Sequence, residues 1–389
     1  LSEELPALLT LGVGAAFYLV VATWPHTPGR LLTTLKLMNW SGMLLIGWCL
    51  VQTYFILFQE SRYPSLVVQI QDWLSQRELF VGRVTGFAFE PSWLAHQLNV
   101  LFIPFWLAAT VTRSSAHRRL AGISVENVLL ALGFGMLFLS FSRIGILAAL
   151  LMVSFLILPL AYRAGSRGLN RAVGGLDSLR RPLRAGLKLG LVIVVAAGYL
   201  AGLVAAVYAI SRFDPRLGAL FDNLQWDGNG IYSLANQLAF AERLVYWATG
   251  WFIFNDFPAL GVGLGNAGFF FPEKMPPFGW ALWEVDQIFF RLAHLPNPKS
   301  MWARILAETG WVGFSVFITW LYVLWRSARA LSARTSPLLK TIALAGMLSL
   351  VAYLIEGFSL DSFAMPYLFV SMGLLTAGAA VRMDEEETA

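Results

Sequence analysis

An all-α polytopic membrane protein with about nine or more transmembrane helices is predicted by three features. Of 389 residues, 57% are hydrophobic and only 13% charged, about half of the roughly 25% that soluble domains carry. Apolar runs of about 20 residues recur along the chain, each long enough to cross a hydrocarbon core of about 30 Å. Most of the fifteen Trp flank those runs, as aromatic belts do at a membrane surface. Mean hydropathy is +0.64. Soluble enzymes, disordered chains and disulfide-built secreted domains are excluded. The single cysteine, Cys49, lies inside an apolar run and forms no intrachain disulfide.

In chain order the spans read as 5–24, 37–58, 92–112, 125–141, 143–162, 187–210, 301–325, 338–357 and 363–381. No charged n-region of a signal peptide precedes the first, and the start at Leu1 leaves room for an upstream segment. Residues 64–80 read as an interfacial helix, because Leu66, Ile70, Trp73 and Leu74 share one helical face. The connection after the third span carries Arg113, Arg118 and Arg119. The one after the fifth carries Arg163, Arg167, Arg171, Arg180, Arg181, Arg184 and Lys188, and the one after the seventh carries Arg326, Arg329, Arg334 and Lys340. Together with Arg30, Lys36 and Arg382 these hold most of the 28 basic residues. The positive-inside rule assigns them to the cytoplasm and leaves residues 59–91, the turn at 140–143 and the segment 211–300 outside.

The segment 211–300 is too long for a passive connection and too rich in Phe and Trp, over 238–254 and 269–283, for disorder. It is expected to form an ordered subdomain with amphipathic helices. The organisation expected is a six-span bundle over 1–210, the loop subdomain over 211–300, and a three-span bundle over 301–389 that ends in an acidic cytoplasmic tail.

Charge on the outer side gathers in four patches. Arg83-Val-Thr-Gly86 runs through Glu90-Pro91-Ser92 into the third span. Ser140-Phe-Ser142-Arg143 joins two spans with almost no loop. Glu242-Arg243 precedes Asp256-Phe-Pro258-Ala-Leu-Gly261-Val-Gly263-Leu-Gly265-Asn266. His294-Leu-Pro296-Asn297-Pro298-Lys299-Ser300 leads into a span bearing Arg304 and Glu308, four apart and so on one helical face. Gly263 to Gly268 formally matches G-x-G-x-x-G, but no strand precedes it and Phe269-Phe-Phe-Pro272 follows, so a dinucleotide site is rejected. The bland readings are an Arg83–Glu90 interfacial pair, a snorkelling Arg143, a backbone turn at the glycines and an Arg304–Glu308 intrahelical pair. Taken together, Arg83, Arg143, Arg243, Lys299 and Arg304 would suit a diphosphate held at the bilayer surface. His and carboxylates do not fall at metal-ligand spacing, so neither a metal nor another cofactor is expected, and no nucleic-acid partner. His96, near the top of the third span, is a second candidate histidine, and Glu356, near the end of the eighth, is the main charged exception among the spans.

In this order the patches resemble the O-antigen ligase and O-antigen polymerase superfamily. Its Arg-x-x-Gly before a Glu-Pro-Ser turn is matched by Arg83 to Ser92, and its Ser-Arg between spans by Ser142-Arg143. Its Arg, Trp and Pro-x-x-Gly-x-Gly are matched by Arg243, Trp247 and Pro258 to Gly263. Its Glu-x-Gly after a large external loop is matched by Glu308 and Gly310. Ligases typically carry Pro-His-Asn nine residues before that Glu, where this chain has Pro298-Lys299-Ser300, with His294 five residues upstream of Lys299. That departure and the Glu-Pro-Ser form favour the polymerase branch.

The resemblance implies a GT-C-like fold in the bacterial cytoplasmic membrane and an inverting, metal-independent glycosyltransferase facing the periplasm. The donor and acceptor would be polyprenyl-diphosphate-linked oligosaccharides, the surroundings membrane lipids, and a further partner a chain-length regulator protein. Arg143, Arg243 and Arg83 would stabilise the leaving diphosphate, with Glu90, Lys299 and Arg304 lining the site. Glu242, His294 and Glu308 are the contenders for the base. A ligase, differing only in its acceptor, is the alternative enzyme. A lipid-linked oligosaccharide flippase is the alternative from another class, disfavoured because the spans read as mostly clean apolar runs with the charges at their outer ends.

Overall fold

The computed structural model describes residues 3–75, 79–172, 181–211, 235, 240–291, 295–363 and 365–381. Helices make up the described residues almost throughout, with one isolated bridge pair at Leu120 and Ile123. In chain order the main ones are α1 (Glu4–Thr23), α2 (Pro28–Phe58), α3 (Ser65–Leu74), α4 (Pro91–Val111), α5 (Val125–Leu139), α6 (Arg143–Ala172) and α7 (Arg181–Ser211). They are followed by α8 (Ala241–Asp256), α9 (Ala267–Lys274), α10 (Met301–Ser332), α11 (Pro337–Glu356) and α12 (Pro366–Ala380). All nine expected spans are helical. Among the described residues seven helices are long and apolar enough to cross a membrane, and α5 and α12 are shorter apolar helices. The interfacial stretch forms α3, whose Val67 and Gln71 are buried while Leu66, Trp73 and Leu74 stay exposed.

Several helices outrun the expected spans. α6 continues through Arg163, Arg167 and Arg171, and α10 through Arg326 and Arg329. Arg, Ala and Leu are good helix formers, and cations favour a helix C-terminus, so these basic flanks prolong the helix instead of ending it.

By contacts the chain divides into two compact units, Leu1–Ala148 with Glu242–Ala389, and Ala149–Ala241. In the second, Ser154 and Tyr199 join hydroxyls, and a Cβ on Gly165 would lie 2.6 Å from Leu191. The first unit has α11 at its centre, packed against α4, α10 and α12, with α1 on α12 and α5 on α2 and α4. Trp106 of α4 fits between Gly42 of α2 and Gly133 of α5, where a Cβ would approach its ring to 2.5 and 2.8 Å. Small residues at such crossings let apolar helices close up, since lipid provides no hydrophobic drive between them.

Two departures from regular helix matter for function. α4 contains a π turn over Leu98–Phe102. Pro104 explains it, because a proline ring clashes with the carbonyl four residues back, here that of Val100, which instead accepts from Ser349 Oγ at 2.6 Å. The second departure lies in α10. Gly310 (φ +59°, ψ −160°) interrupts α10, nine residues or about 14 Å along it at 1.5 Å per residue.

One buried polar cluster pins the other end of the bundle. The Glu126 carboxylate accepts from Asn39 Nδ2 (2.8 Å), Ser115 Oγ (2.7 Å) and the Ala116 N–H (2.9 Å), and Trp106 Nε1 donates to Asn39 Oδ1 at 3.0 Å. Replacing Glu126 by Ala strands three donors, each worth about 1–3 kcal/mol when left unpaired. The expected result is a clearly lower thermal midpoint in detergent, with Glu126→Gln losing less.

Candidate functional site

The break in α10 is closed by another piece of chain. Residues 258–263 run alongside it, and the freed backbone groups find partners there. The Trp311 N–H donates to the Pro258 carbonyl (2.8 Å) and the Val312 N–H to that of Ala259 (3.2 Å). In return the Val262 N–H donates to the Ala307 carbonyl (3.0 Å) and the Gly263 N–H to that of Glu308 (2.9 Å). Backbone approaches this close leave no room for a side chain. A Cβ on Gly261 (φ +67°) would lie 2.4 Å from the Glu308 carbonyl carbon, and one on Gly310 would lie 2.4 Å from the Ala259 oxygen. Both residues also hold the positive φ that glycine takes without strain.

This interlock fixes Glu308. Its side chain is 1% exposed, with Oε1 accepting from Arg304 Nε at 2.9 Å and Oε2 from the Gly265 N–H at 2.8 Å. The intrahelical pair anticipated from the four-residue spacing therefore forms. Arg304 also donates through Nη1 to the Asp361 carbonyl and lies 4.8 Å over the Phe363 ring. Beside the break, residues including Leu11, Leu264, Ile305, Val316, Phe317 and Phe369 line an apolar cavity of about 380 Å³.

The segment from Gly357 to Asp361, between α11 and α12, gathers several of the expected site residues. Arg243 of α8 donates through Nη1 to the Ser359 carbonyl (3.4 Å). Ser300 Oγ and the Met301 N–H both donate to the Gly357 carbonyl, at 3.2 and 2.7 Å. Next to them Lys299 takes left-handed backbone (φ +50°), its N–H on Asn297 Oδ1 at 2.9 Å. Its ammonium lies 3.3 Å from Glu284 and 5.9 Å from the Tyr246 ring centroid. A half-exposed pair of this kind adds at most about 1 kcal/mol, so it places the lysine more than it stabilises the fold. Tyr246 is fully buried; burial, then the charges of Glu284 and Glu242, pushes its phenol up and keeps it neutral.

Arg83 and Arg143 belong to a second group. Arg83 donates through Nε to the Ser140 carbonyl (2.9 Å) and through Nη2 to that of Phe141 (3.3 Å). It thereby holds Phe141 in a left-handed conformation (φ +46°) whose cost is about 1–3 kcal/mol. That turn delivers Arg143 as the first residue of α6. Glu90 precedes Pro91 as the N-cap residue of α4, and its carboxylate accepts from Ser92 Oγ at 3.2 Å. Glu242 is half-buried in the first turn of α8. His294 lies outside the described residues.

Residues 128–318 match the family model described as O-antigen ligase. In this region the chain is similar to the O-antigen ligase family. The match covers Arg143, Glu242, Arg243, Lys299, Arg304 and Glu308, and with them both partners of the interlock. No curated protein matches the chain. Among the described residues no three His, Cys, Asp or Glu side chains cluster as metal ligands would.

Sequence reasoning left several participants of this O-antigen ligase region and its surroundings unassigned. Ser359 and Asp361 act through backbone oxygens, which carry no residue signature. Glu284 and Tyr246 were hidden among aromatic residues, although a carboxylate in Trp283-Glu284-Val285-Asp286 is a usable signal. The geometry also separates the arginines by role. Removing Arg304 leaves Glu308 buried with its charge uncompensated, a loss of about 3–5 kcal/mol. Arg304→Met is therefore expected to lower the thermal midpoint strongly, and Arg243→Met to leave it nearly unchanged.

Proposed function

We propose that this protein is a membrane glycosyltransferase that polymerises polyprenyl-diphosphate-linked glycan repeat units at the periplasmic face of the bacterial cytoplasmic membrane. The observation that carries the reading is the convergence of Arg243 and Arg304 on the short stretch from Gly357 to Asp361, in a chain whose residues 128–318 match the family model described as O-antigen ligase. Side-chain cations fixed in advance are what a departing diphosphate requires. The apolar cavity lined by Ile305 and Phe363 supports the reading, because the leaving group carries a prenyl chain.

In the step envisaged, a sugar hydroxyl of the acceptor attacks the anomeric carbon of the donor from the face opposite the diphosphate. The new carbon–oxygen bond forms as the bond to the diphosphate oxygen breaks. The electron pair leaves with the polyprenyl diphosphate, and the hydroxyl proton passes to a carboxylate. Inversion at the anomeric carbon follows from a single displacement, and the chain's own cations supply the charge without a metal. Both Glu308 oxygens already accept hydrogen bonds, so Glu308 orients Arg304 and the half-buried Glu242 takes the proton.

The family match itself supports a second reading, transfer of the glycan to a lipid A-core acceptor. A flippase reading gains nothing from the broken span, since residues 258–263 take up the backbone groups that would otherwise face a substrate.

Purified protein in liposomes, supplied with lipid-linked repeat units, should build a ladder of lengthening glycans on a gel. Arg243→Ala should slow it by on the order of 100-fold, the scale of losing one prepositioned donor at a developing charge. Glu242→Gln should slow it comparably without changing donor affinity. A product formed only when lipid A-core is added would replace the polymerase reading with the ligase.

A further inference from the structure

Three polar side chains lie deep in the first unit. Asn99 is 0% exposed, and His96 and Glu356 are each 1% exposed. Asn99 Nδ2 donates to two acceptors from different helices, Glu356 Oε1 at 2.6 Å and the Gly145 carbonyl at 2.7 Å. His96 Nδ1 stands 3.7 Å from the other carboxylate oxygen of Glu356. The His96 ring also lies 5.7 Å from that of Tyr367 and 6.2 Å from that of Tyr353. Ionisable groups inside a membrane bundle are costly, and apolar residues of similar volume would often be more stable. Their presence calls for a role other than stability.

The local architecture is built for this contact. Pro104 forces the π turn that contains Asn99. On α11, Ser349 and Glu356 are seven residues apart, two turns along one face, and both hold that turn, Ser349 through the Val100 carbonyl and Glu356 through Asn99. On the other side, Gly145 lets α6 approach α4 so closely that a Cβ there would lie 2.5 Å from that of Ala95. Gly145 is two residues from Arg143. Glu356 immediately precedes the stretch from Gly357 to Asp361 that receives Arg243 and Arg304.

We propose that Asn99 and Glu356 are positioning residues: they join the Arg143 end of α6 to the 357–361 segment, and so hold cations from distant parts of the sequence in one register. The consequence for diphosphate binding rests on the proposed function; the joint itself does not. Cutting it lets the Ser359 and Asp361 carbonyls shift relative to Arg143, so a lipid diphosphate meets its cations out of register.

Spin labels test the joint independently of activity. Leu147→Cys on α6 and Ser359→Cys in the segment, in a Cys49→Ala background, would be labelled in lipid nanodiscs and their separation measured by pulsed electron paramagnetic resonance. The parent and Glu356→Gln, whose carboxamide oxygen still accepts from Asn99, should give one narrow distance. Asn99→Leu and Glu356→Leu should give a shifted or broadened one. Should Asn99→Leu fail to fold, Asn99→Ser carries the same expectation, because a hydroxyl donates only one hydrogen. A parent-like distance in the folded Asn99 variant overturns the proposal.

A second arm measures binding of a polyprenyl diphosphate without sugar. Affinity should fall about tenfold in Asn99→Leu and Glu356→Leu, and stay within about twofold in Glu356→Gln, the scale of one hydrogen bond to a charged group. A distance change without any lipid diphosphate binding, even by the parent, would overturn the proposed function and leave the joint standing.

Discussion

A helix interrupted inside a membrane strands backbone N–H and carbonyl groups where no water can meet them, and interruption is tolerated only where protein supplies partners. At Gly310 the partners come from residues 258–263, through two bonds accepted and two donated. The exchange requires the two backbones to touch, and hence two residues without a Cβ. Once made, it sets the height of Gly265, whose N–H fixes one oxygen of Glu308. The other oxygen aligns Arg304, and Arg304 reaches the Asp361 carbonyl. The orientation of a cation at the far side of the site thus descends, bond by bond, from a backbone crossing.

The partners of the cations divide them. Arg304 and Lys299 each face a carboxylate, Glu308 and Glu284, which cancels much of their charge. Arg243 faces a neutral carbonyl, Ser359, which orients the guanidinium and leaves its positive charge intact. A group meant to stabilise charge that develops during reaction has to be fixed in place without being neutralised. By that criterion Arg243 is the electrostatic element of the proposed mechanism, and Arg304 shapes the surface around it. Arg83 acts at one remove, since its bonds to the Ser140 and Phe141 carbonyls hold the turn that sets the start of α6.

The spans were legible because lipid imposes one constraint on every residue of a run, and composition reports it directly. The Arg304–Glu308 pair was legible because helical spacing alone brings the two together. The helix ends were not, because nothing in Arg163 or Arg326 distinguishes a solvated helix from a loop. The break was not either. Glu308-Thr-Gly310 in an apolar run is unremarkable until a second segment is known to approach it, and that approach is a tertiary event nearly fifty positions away. Likewise Pro104 signals a disturbed helix, but not that Asn99 is thereby turned onto Gly145 and Glu356.

The glycine run from Gly261 to Gly265 shows how one motif admits several readings until its neighbours are known. A phosphate-binding loop presents its N–H groups outward to a ligand. Here the N–H groups of Val262 and Gly263 go to α10 and that of Gly265 goes to Glu308, so this run cannot also cradle a phosphate through them. The same holds for the broken span, whose freed groups are consumed within the chain. In the proposed function, recognition of the diphosphate therefore falls to side-chain cations, and the backbone devices serve to place them.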